Sequence, residues 1–197
     1  MLDQTVRPII ARPLDRAAQS LDRAGITPAG ITAIGLGLGV AACVAVLVGA
    51  WWLAMGFWLL NRLADGLDGP LARRRGPTDL GGLFDLVSDF TVYAAIIVAM
   101  AIRVDDARMA AIFVLFAYYL SGTAGLAWSN LAARREIVGD SRAFIFPAGL
   151  AEGTETVIAY VVMFAFPSHL EALLWTWSAV VGVTAVQRVV YTHRLLK

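Results

Sequence analysis

NRLADGLDGPLAR occupies positions 61–73 and GPTDLGGLFDLVSD positions 76–89. Asp65 and Asp68 are three residues apart, Asp85 and Asp89 four apart. On helices, each pair falls on one face. The flanks are apolar, WWLAMGFWLL at 51–60 and FTVYAAIIVAMAI at 90–102. Each block with its flank reaches the roughly 20 residues that a helix needs to cross a bilayer. The reading that follows is a helical hairpin in a membrane with four carboxylates gathered near its turn.

The rest of the chain agrees. Of 197 residues, 59% are hydrophobic and only 16% charged, and the mean hydropathy is +0.70. A water-soluble domain of this length carries more charge. We therefore expect an all-α polytopic membrane protein, one domain over residues 1–197. Six transmembrane helices are expected at about 28–49, 52–74, 82–102, 108–133, 144–166 and 171–192, with the core spanning 28–192. Gly49 to Trp52 reads as a tight turn with interfacial tryptophan. Gly35 and Gly39, four apart, read as a site of close helix packing. Residues 1–25 are charged, interrupted by Pro8 and Pro13, and lack the basic-then-apolar order of a signal peptide. Within them, Leu14, Ala17, Ala18 and Leu21 share a face opposite Asp15, Arg16, Asp22 and Arg23, the pattern of a short amphipathic helix on the membrane surface.

Net charge is +1 and no basic face dominates, so nucleic acid is not an expected partner. The single Cys43 allows no internal disulfide and reads as packing. Loop cations set an orientation. Arg7, Arg12, Arg16, Arg23, Arg73, Arg74, Arg75, Arg134, Arg135, Arg142, Arg188, Arg194 and Lys197 fall on one side, Arg103 and Arg108 on the other. The positive-inside bias then places both termini, and the acidic site, on the cytoplasmic side of an inner membrane.

Carboxylates at membrane depth need an explanation. One at the centre of a span costs about 2.5–3.5 kcal/mol, and four at shallower depth together cost on the order of 5–10 kcal/mol. Like charges this close also repel unless a cation lies between them. A hard divalent cation answers both difficulties, and carboxylate oxygens are its ligands. The absence of a Cys/His cluster argues against zinc. Gly66, Gly69, Gly81 and Gly82 leave room for a bulky ligand, Pro70 should loosen the helix after Asp68, and Arg73 offers a fork of donors to phosphate. Together these describe a pyrophosphate site. The plainer alternative is interhelical salt bridges between the aspartates and Arg62, Arg73, Arg74 or Arg75.

The spacing Asp65-x2-Asp68-Gly69-x2-Ala72-Arg73-x7-Gly81-x3-Asp85-x3-Asp89 resembles, at all eight fixed positions, the signature of the CDP-alcohol phosphotransferase family. Ile26, Thr27, Pro28 and Thr32 are similar to the segment opening that family's first span, and the length matches its small bacterial members. The resemblance implies that Asp65, Asp68 and Asp85 hold a pair of Mg²⁺ or Mn²⁺ ions, with Asp89 a further ligand and the general base. It implies that Gly69, Ala72, Arg73, Thr78 and Gly81 line a CDP pocket with Thr32 nearby, and that the protein is a homodimer. The implied reaction moves a phosphatidyl group from CDP-diacylglycerol, within the membrane lipid, to a small alcohol and releases CMP.

The acceptor is less legible. Arg134, Arg135 and Arg142 suit a phosphorylated alcohol such as glycerol 3-phosphate. Glu152 and Glu155, on one helix face, suit an amino alcohol or bare polyol, or else pair with Arg134, Arg135 or Arg188. Asn61 and Arg62 read equally as support for the metal site or as packing. Tyr118, Tyr119 and Trp128 read as packing or lipid contacts. Two rival functions stand beside this one: a soluble CDP-alcohol as donor with diacylglycerol as acceptor, and a cation transporter.

Overall fold

The computed structural model describes residues 2–135 and 149–196. Among them the chain is helical throughout, with no strand: α1 Leu2–Arg23, α2 Pro28–Leu47, α3 Trp51–Arg75, α4 Asp79–Arg103, α5 Arg108–Arg134, α6 Gly153–Ala165 and α7 Leu170–Leu196. Single 3₁₀ turns precede α5 and α7. Local chemistry sets these limits. Thr27 and Thr78 cap α2 and α4 by accepting from the backbone N–H of Gly30 and Gly81, each at 3.1 Å. Pro28 opens α2, where its missing N–H is not needed. Gly49, at φ +80°, closes α2, with the Ala50 N–H donating to the Ala45 carbonyl at 2.8 Å.

Among the described residues, four segments are long and apolar enough to cross a membrane: Pro28–Leu47, Asp79–Arg103, Asp105–Arg134 and Pro167–Leu195. The expected second span, α3, has the length at 25 residues but carries Arg62, Asp65, Asp68 and three arginines in its last turn. The described part of the expected fifth span, 149–166, contains the apolar 13-residue α6; residues 144–148 of that span, and Arg142 before it, lie outside the described residues.

The glycine stripe on α2 decides how the first helices meet. A Cβ added at Gly35 would lie 3.4 Å from the Ala64 Cβ of α3, and one at Gly39 only 2.4 Å from Val92 Cγ2 of α4. So α2 wedges between α3 and α4 at near-backbone contact. α3 and α4, though joined through Gly76 (φ +89°), Pro77 and Thr78, pack on α2 more than on each other. α5 pairs with α7 and also meets α4, while α6 lies between α3 and α7. The main core runs through Trp58, Ile96, Ile97, Met100, Val114, Tyr160, Phe164 and Leu174, all fully buried. A belt of exposed apolar side chains, including Leu63, Leu83, Val87, Ile112 and Phe116, faces outward.

The N-terminal segment departs from expectation. Pro8 and Pro13 do not interrupt it, for α1 is continuous over 22 residues. Each proline removes one backbone donor, and the bonds on either side hold the turn. Asp15 and Asp22, though partly exposed, are not left to solvent alone. They pair with Arg74 (2.8 Å) and Arg75 (2.6 Å) of α3, while Leu14, Ala18 and Leu21 pack inward and Ala17 stays exposed. Pro70 likewise leaves α3 helical through Arg75; it only deprives the Gly66 carbonyl of its helical donor.

Candidate functional site

Where α3 and α4 diverge from their turn, the flank of α2 closes a cleft lined by Thr32, Gly35, Leu36, Asn61, Asp65, Asp68, Asp85, Ser88, Asp89 and Val92. Carboxylate oxygens of Asp65, Asp68 and Asp85 all lie within 4.8 Å of one another. Asp68 is buried and the other two are half-buried. Three converging carboxylates, one withdrawn from water, are the donor set of a hard divalent cation. The residues therefore fit the metal that the sequence called for. Thr32, seven residues before Gly39 on the same face of α2, donates its hydroxyl to Asp68 Oδ2 at 3.1 Å and is also within reach of the Pro28 carbonyl at 3.1 Å.

Asp89 lines the same cleft, with its carboxylate in hydrogen-bonding reach of Asp65. Its Oδ1 accepts from Arg62 Nη2 at 2.7 Å, and the Arg62 fork also reaches Asp65 at 3.7 Å. Arg62 itself is closely confined. Its Nε and Nη2 donate to Asn61 Oδ1 at 2.8 and 2.6 Å, and its Nη1 donates to the Tyr93 hydroxyl at 2.6 Å. The guanidinium lies over Trp58 (4.7 Å) and Tyr93 (4.6 Å). Asn61 is anchored in turn, donating to the Gly35 carbonyl at 2.8 Å.

Below lies an aromatic floor. Trp58 stacks on Tyr160 at 4.5 Å. The Trp177 indole donates to the Tyr118 hydroxyl (2.7 Å), which lies 3.1 Å from the Tyr160 hydroxyl, and Tyr160 donates to the Tyr93 carbonyl (2.9 Å). Each hydroxyl has one proton, so this order fixes Tyr118 as donor to Tyr160.

The other expected site residues separate by location. Gly69 leaves space that the Arg73 guanidinium uses, since a Cβ there would lie 3.6 Å from Nη1. Arg73 is exposed, and Arg74 and Arg75 are taken up by α1. Ala72 is half-buried on the same turn, and Thr78 and Gly81 form the exposed N-cap of α4. Gly66 differs from expectation: it makes room for Leu14 of α1 rather than for a ligand. Arg134 and Arg135 are exposed at the end of α5, the end of the bundle that carries the aspartates. Glu152 and Glu155 are half-buried at the start of α6. Glu152 accepts from the Gly149 N–H at 3.3 Å and its charge is felt by Arg188, which donates to Ser121 Oγ at 2.8 Å. Tyr118 is built into the floor, Tyr119 is exposed, and Trp128 packs edge-on against Tyr191.

Sequence reasoning left Arg62 undecided and did not single out Trp58, Tyr93 or Ser88. A signal was present: Arg62 is one turn before Asp65, and Tyr93 one turn after Asp89. Only the packing of α3 against α4 shows that these two turns face each other.

Comparisons with known proteins agree with this geometry. A sequence profile of the CDP-alcohol phosphatidyltransferase family matches residues 25–187. The chain is 36% identical over 201 residues to the inner membrane protein YnjF of Escherichia coli K12, covering all of this chain and 98% of that one. Its fold is similar to crystal structures of Mycobacterium tuberculosis phosphatidylinositol phosphate synthase (PgsA1). The CDP-DAG-bound form gives a TM-score of 0.73 at 22% identity, covering 92% of this chain and 94% of that one. The complex with manganese and citrate gives 0.71 at 22% identity, covering 91% and 88%.

Proposed function

The chain belongs to the CDP-alcohol phosphatidyltransferase family and is a membrane transferase of phospholipid synthesis, and from that premise we propose that it transfers a phosphatidyl group from CDP-diacylglycerol to the hydroxyl of a small alcohol, releasing CMP. The observation that carries this reading is the convergence of Asp65, Asp68 and Asp85 in a cleft with Arg73 one turn beyond. The CDP-DAG bound to the similar mycobacterial fold supports the choice of donor, and the manganese held by it supports the choice of cation.

Asp65, Asp68 and Asp85, with Asp89 as a further ligand, would hold a pair of Mg²⁺ or Mn²⁺ ions. Such a cation, when bound, neutralises charge on the two phosphates and on the departing CMP oxygen. Thr32 fixes the rotamer of Asp68. Arg73 binds phosphate through its fork. Gly69, Ala72, Thr78 and Gly81 border the nucleotide, where the capped N-terminus of α4 favours an anion. The acceptor oxygen forms a new bond to the phosphatidyl phosphorus, and the bond from phosphorus to the CMP oxygen breaks with its electron pair leaving on CMP. Asp89 takes the proton that the acceptor loses.

For the acceptor we carry forward glycerol 3-phosphate or another polyol or amino alcohol. Arg134 and Arg135 suit a phosphorylated one, and Glu152 and Glu155 an unphosphorylated one. The cation-rich end of the bundle faces the cytoplasm, in keeping with the loop arginines. Six spans, with α3 and the segment ending in α6 completing the set, and a homodimer belong to the same reading. The test is purified protein in nanodiscs with Mn²⁺ and CDP-diacylglycerol, challenged with glycerol 3-phosphate, inositol phosphate, inositol, serine, glycerol, choline and ethanolamine in turn. CMP release with one acceptor, abolished by Asp89→Asn in a protein that still elutes as a single species, is the expected result. Normal turnover in Asp89→Asn overturns the base assignment.

A further inference from the structure

The acids of α1 are taken up by α3, and its arginines are not. Asp15 and Asp22 pair with Arg74 and Arg75. Among the described residues no ion pair or side-chain hydrogen bond engages Arg12, Arg16 or Arg23, and all three are exposed. At about 100° per residue these arginines fall within about 40° of one another, on the side of α1 opposite Leu14, Ala18 and Leu21. One flank between the two faces is apolar: Ile9, Ile10, Pro13 and Ala17 are exposed there, Ile9 to 70%. Ser20 shares that flank and turns its hydroxyl back to the Arg16 carbonyl at 3.3 Å. The other flank carries the paired aspartates. The depth of α1 is fixed as well. Residues 24–27, with Gly25 at φ +80°, turn the chain directly into the apolar segment that starts at Pro28. Ala18 also packs with Ala64 and Leu71 across the last turns of α3. So α1 lies where the apolar layer ends and the headgroups begin.

We propose that the outer side of α1 is a binding surface for anionic phospholipid, with Arg12, Arg16 and Arg23 on the headgroup phosphates and Ile9 and Ile10 among the upper acyl carbons. Docking on α3 is what gives α1 its sign. Residues 8–23 hold three arginines and two aspartates. Arg74 and Arg75 neutralise both acids, which leaves an unopposed stripe of positive charge. A zwitterionic headgroup offers this stripe a phosphate together with a repelling ammonium, and an anionic headgroup offers the phosphate without it. A lipid meets the stripe and the apolar flank at once, phosphate beside acyl chain, which an acidic peptide does not.

The experiment reads which lipid sits beside α1. A bimane label is attached on the apolar flank through Ala17→Cys, in a Cys43→Ala background, and the full chain is held in nanodiscs of phosphatidylcholine with a minority of phosphatidylglycerol. An equal mole fraction of one lipid or the other carries a doxyl quencher on its upper acyl chain. Labelled phosphatidylglycerol should quench at least about threefold more than labelled phosphatidylcholine, since each arginine near an anionic surface is worth roughly fivefold. The preference should fade in about 1 M salt, where screening acts within about 3 Å, and vanish when Arg12→Gln, Arg16→Gln and Arg23→Gln are combined. Equal quenching by both lipids, no quenching by either, or a preference that survives in the triple variant overturns the proposal. Should the triple variant fail to elute as a single species, the single variants decide: a preference lowered about twofold or more in any of them supports the proposal, and one lowered in none refutes it.

Discussion

Gly39 meets Val92, which lines the acidic cleft, and replacing the glycine with alanine should disable the site. A Cβ there would sit 2.4 Å from Val92 Cγ2, 2.8 Å from Cγ1 and 3.2 Å from Cβ. Carbon atoms rest at about 3.5–4.0 Å, so α2 and α4 must separate by roughly 1.2 Å. Val92 is β-branched and helical, so χ1 offers it little escape. Overpacking of this kind costs about 1–3 kcal/mol. The separation is transmitted directly: Thr32 is two turns before Gly39 on α2, and Asp85 and Asp89 are two turns and one turn before Val92 on α4. A displacement of about 1 Å at reacting groups costs on the order of a hundredfold in rate. CMP release and the thermal midpoint should both fall in Gly39→Ala. Adding Val92→Ala removes the colliding methyls and should restore most of the rate. Turnover within threefold of wild type in Gly39→Ala, or no recovery in the double variant, would refute the claim that this contact sets the cleft.

Other consequences follow from single contacts. Thr32→Val removes the hydroxyl bonded to Asp68 and should weaken Mn²⁺ binding about tenfold, the worth of a hydrogen bond to a charged group, with unchanged binding counting against the assignment. Arg73→Ala should raise KM for the CDP-lipid while leaving KM for the acceptor unaltered, as measured by CMP release over both concentrations. Arg74→Gln with Arg75→Gln breaks two partly exposed pairs worth about 0.2–1 kcal/mol each, so limited proteolysis within residues 2–23 should quicken, and an unaltered digestion pattern would show that the apolar face alone holds α1. Tyr118→Phe strands the Trp177 indole N–H and should cost about 1–3 kcal/mol, read as a lower thermal midpoint.

How far the sequence carried the fold depended on where the signal was local. Asp65, Asp68, Asp85 and the caps Thr27 and Thr78 were readable because their chemistry acts within a turn or two. Gly35 and Gly39 announced close packing, but not that the partners would be α3 for one and α4 for the other. α3 shows the limit of hydropathy. The acids and arginines that equip the site are what keep it from meeting an apolar-span criterion, so the helix richest in site residues is the least obvious span. For α1 the amphipathic face was legible, but not its length, because Pro8 and Pro13 were weighed as breaks without the two salt bridges and the Leu14–Gly66 contact that dock the helix on α3. Arg62 needed the tertiary structure, since one arginine three residues from an aspartate reads equally as an i, i+3 pair or as support for a site.

Four acids inside a membrane protein also suit a cation pathway, and the structure argues against one. A conduit needs polar groups or water at successive depths. Directly below Asp65 and Asp89 come the guanidinium of Arg62 and then Trp58, Tyr93, Tyr160 and Tyr118. Their rings stack, tilt or meet edge-on at 4.5–6.4 Å, and a directed chain of hydrogen bonds closes on the Tyr93 carbonyl. A cation moving deeper would first meet a fixed positive charge, then fully buried Trp58 and Tyr160. Below them Phe164, Met163 and Leu174 are buried and apolar. Mn²⁺ should therefore bind without crossing. Proteoliposomes loaded with a fluorescent chelator should admit Mn²⁺ no faster than protein-free vesicles, with or without CDP-diacylglycerol. Entry that rises with protein content and stops in Asp65→Asn would mean that the floor opens, and that the acids serve passage rather than transfer.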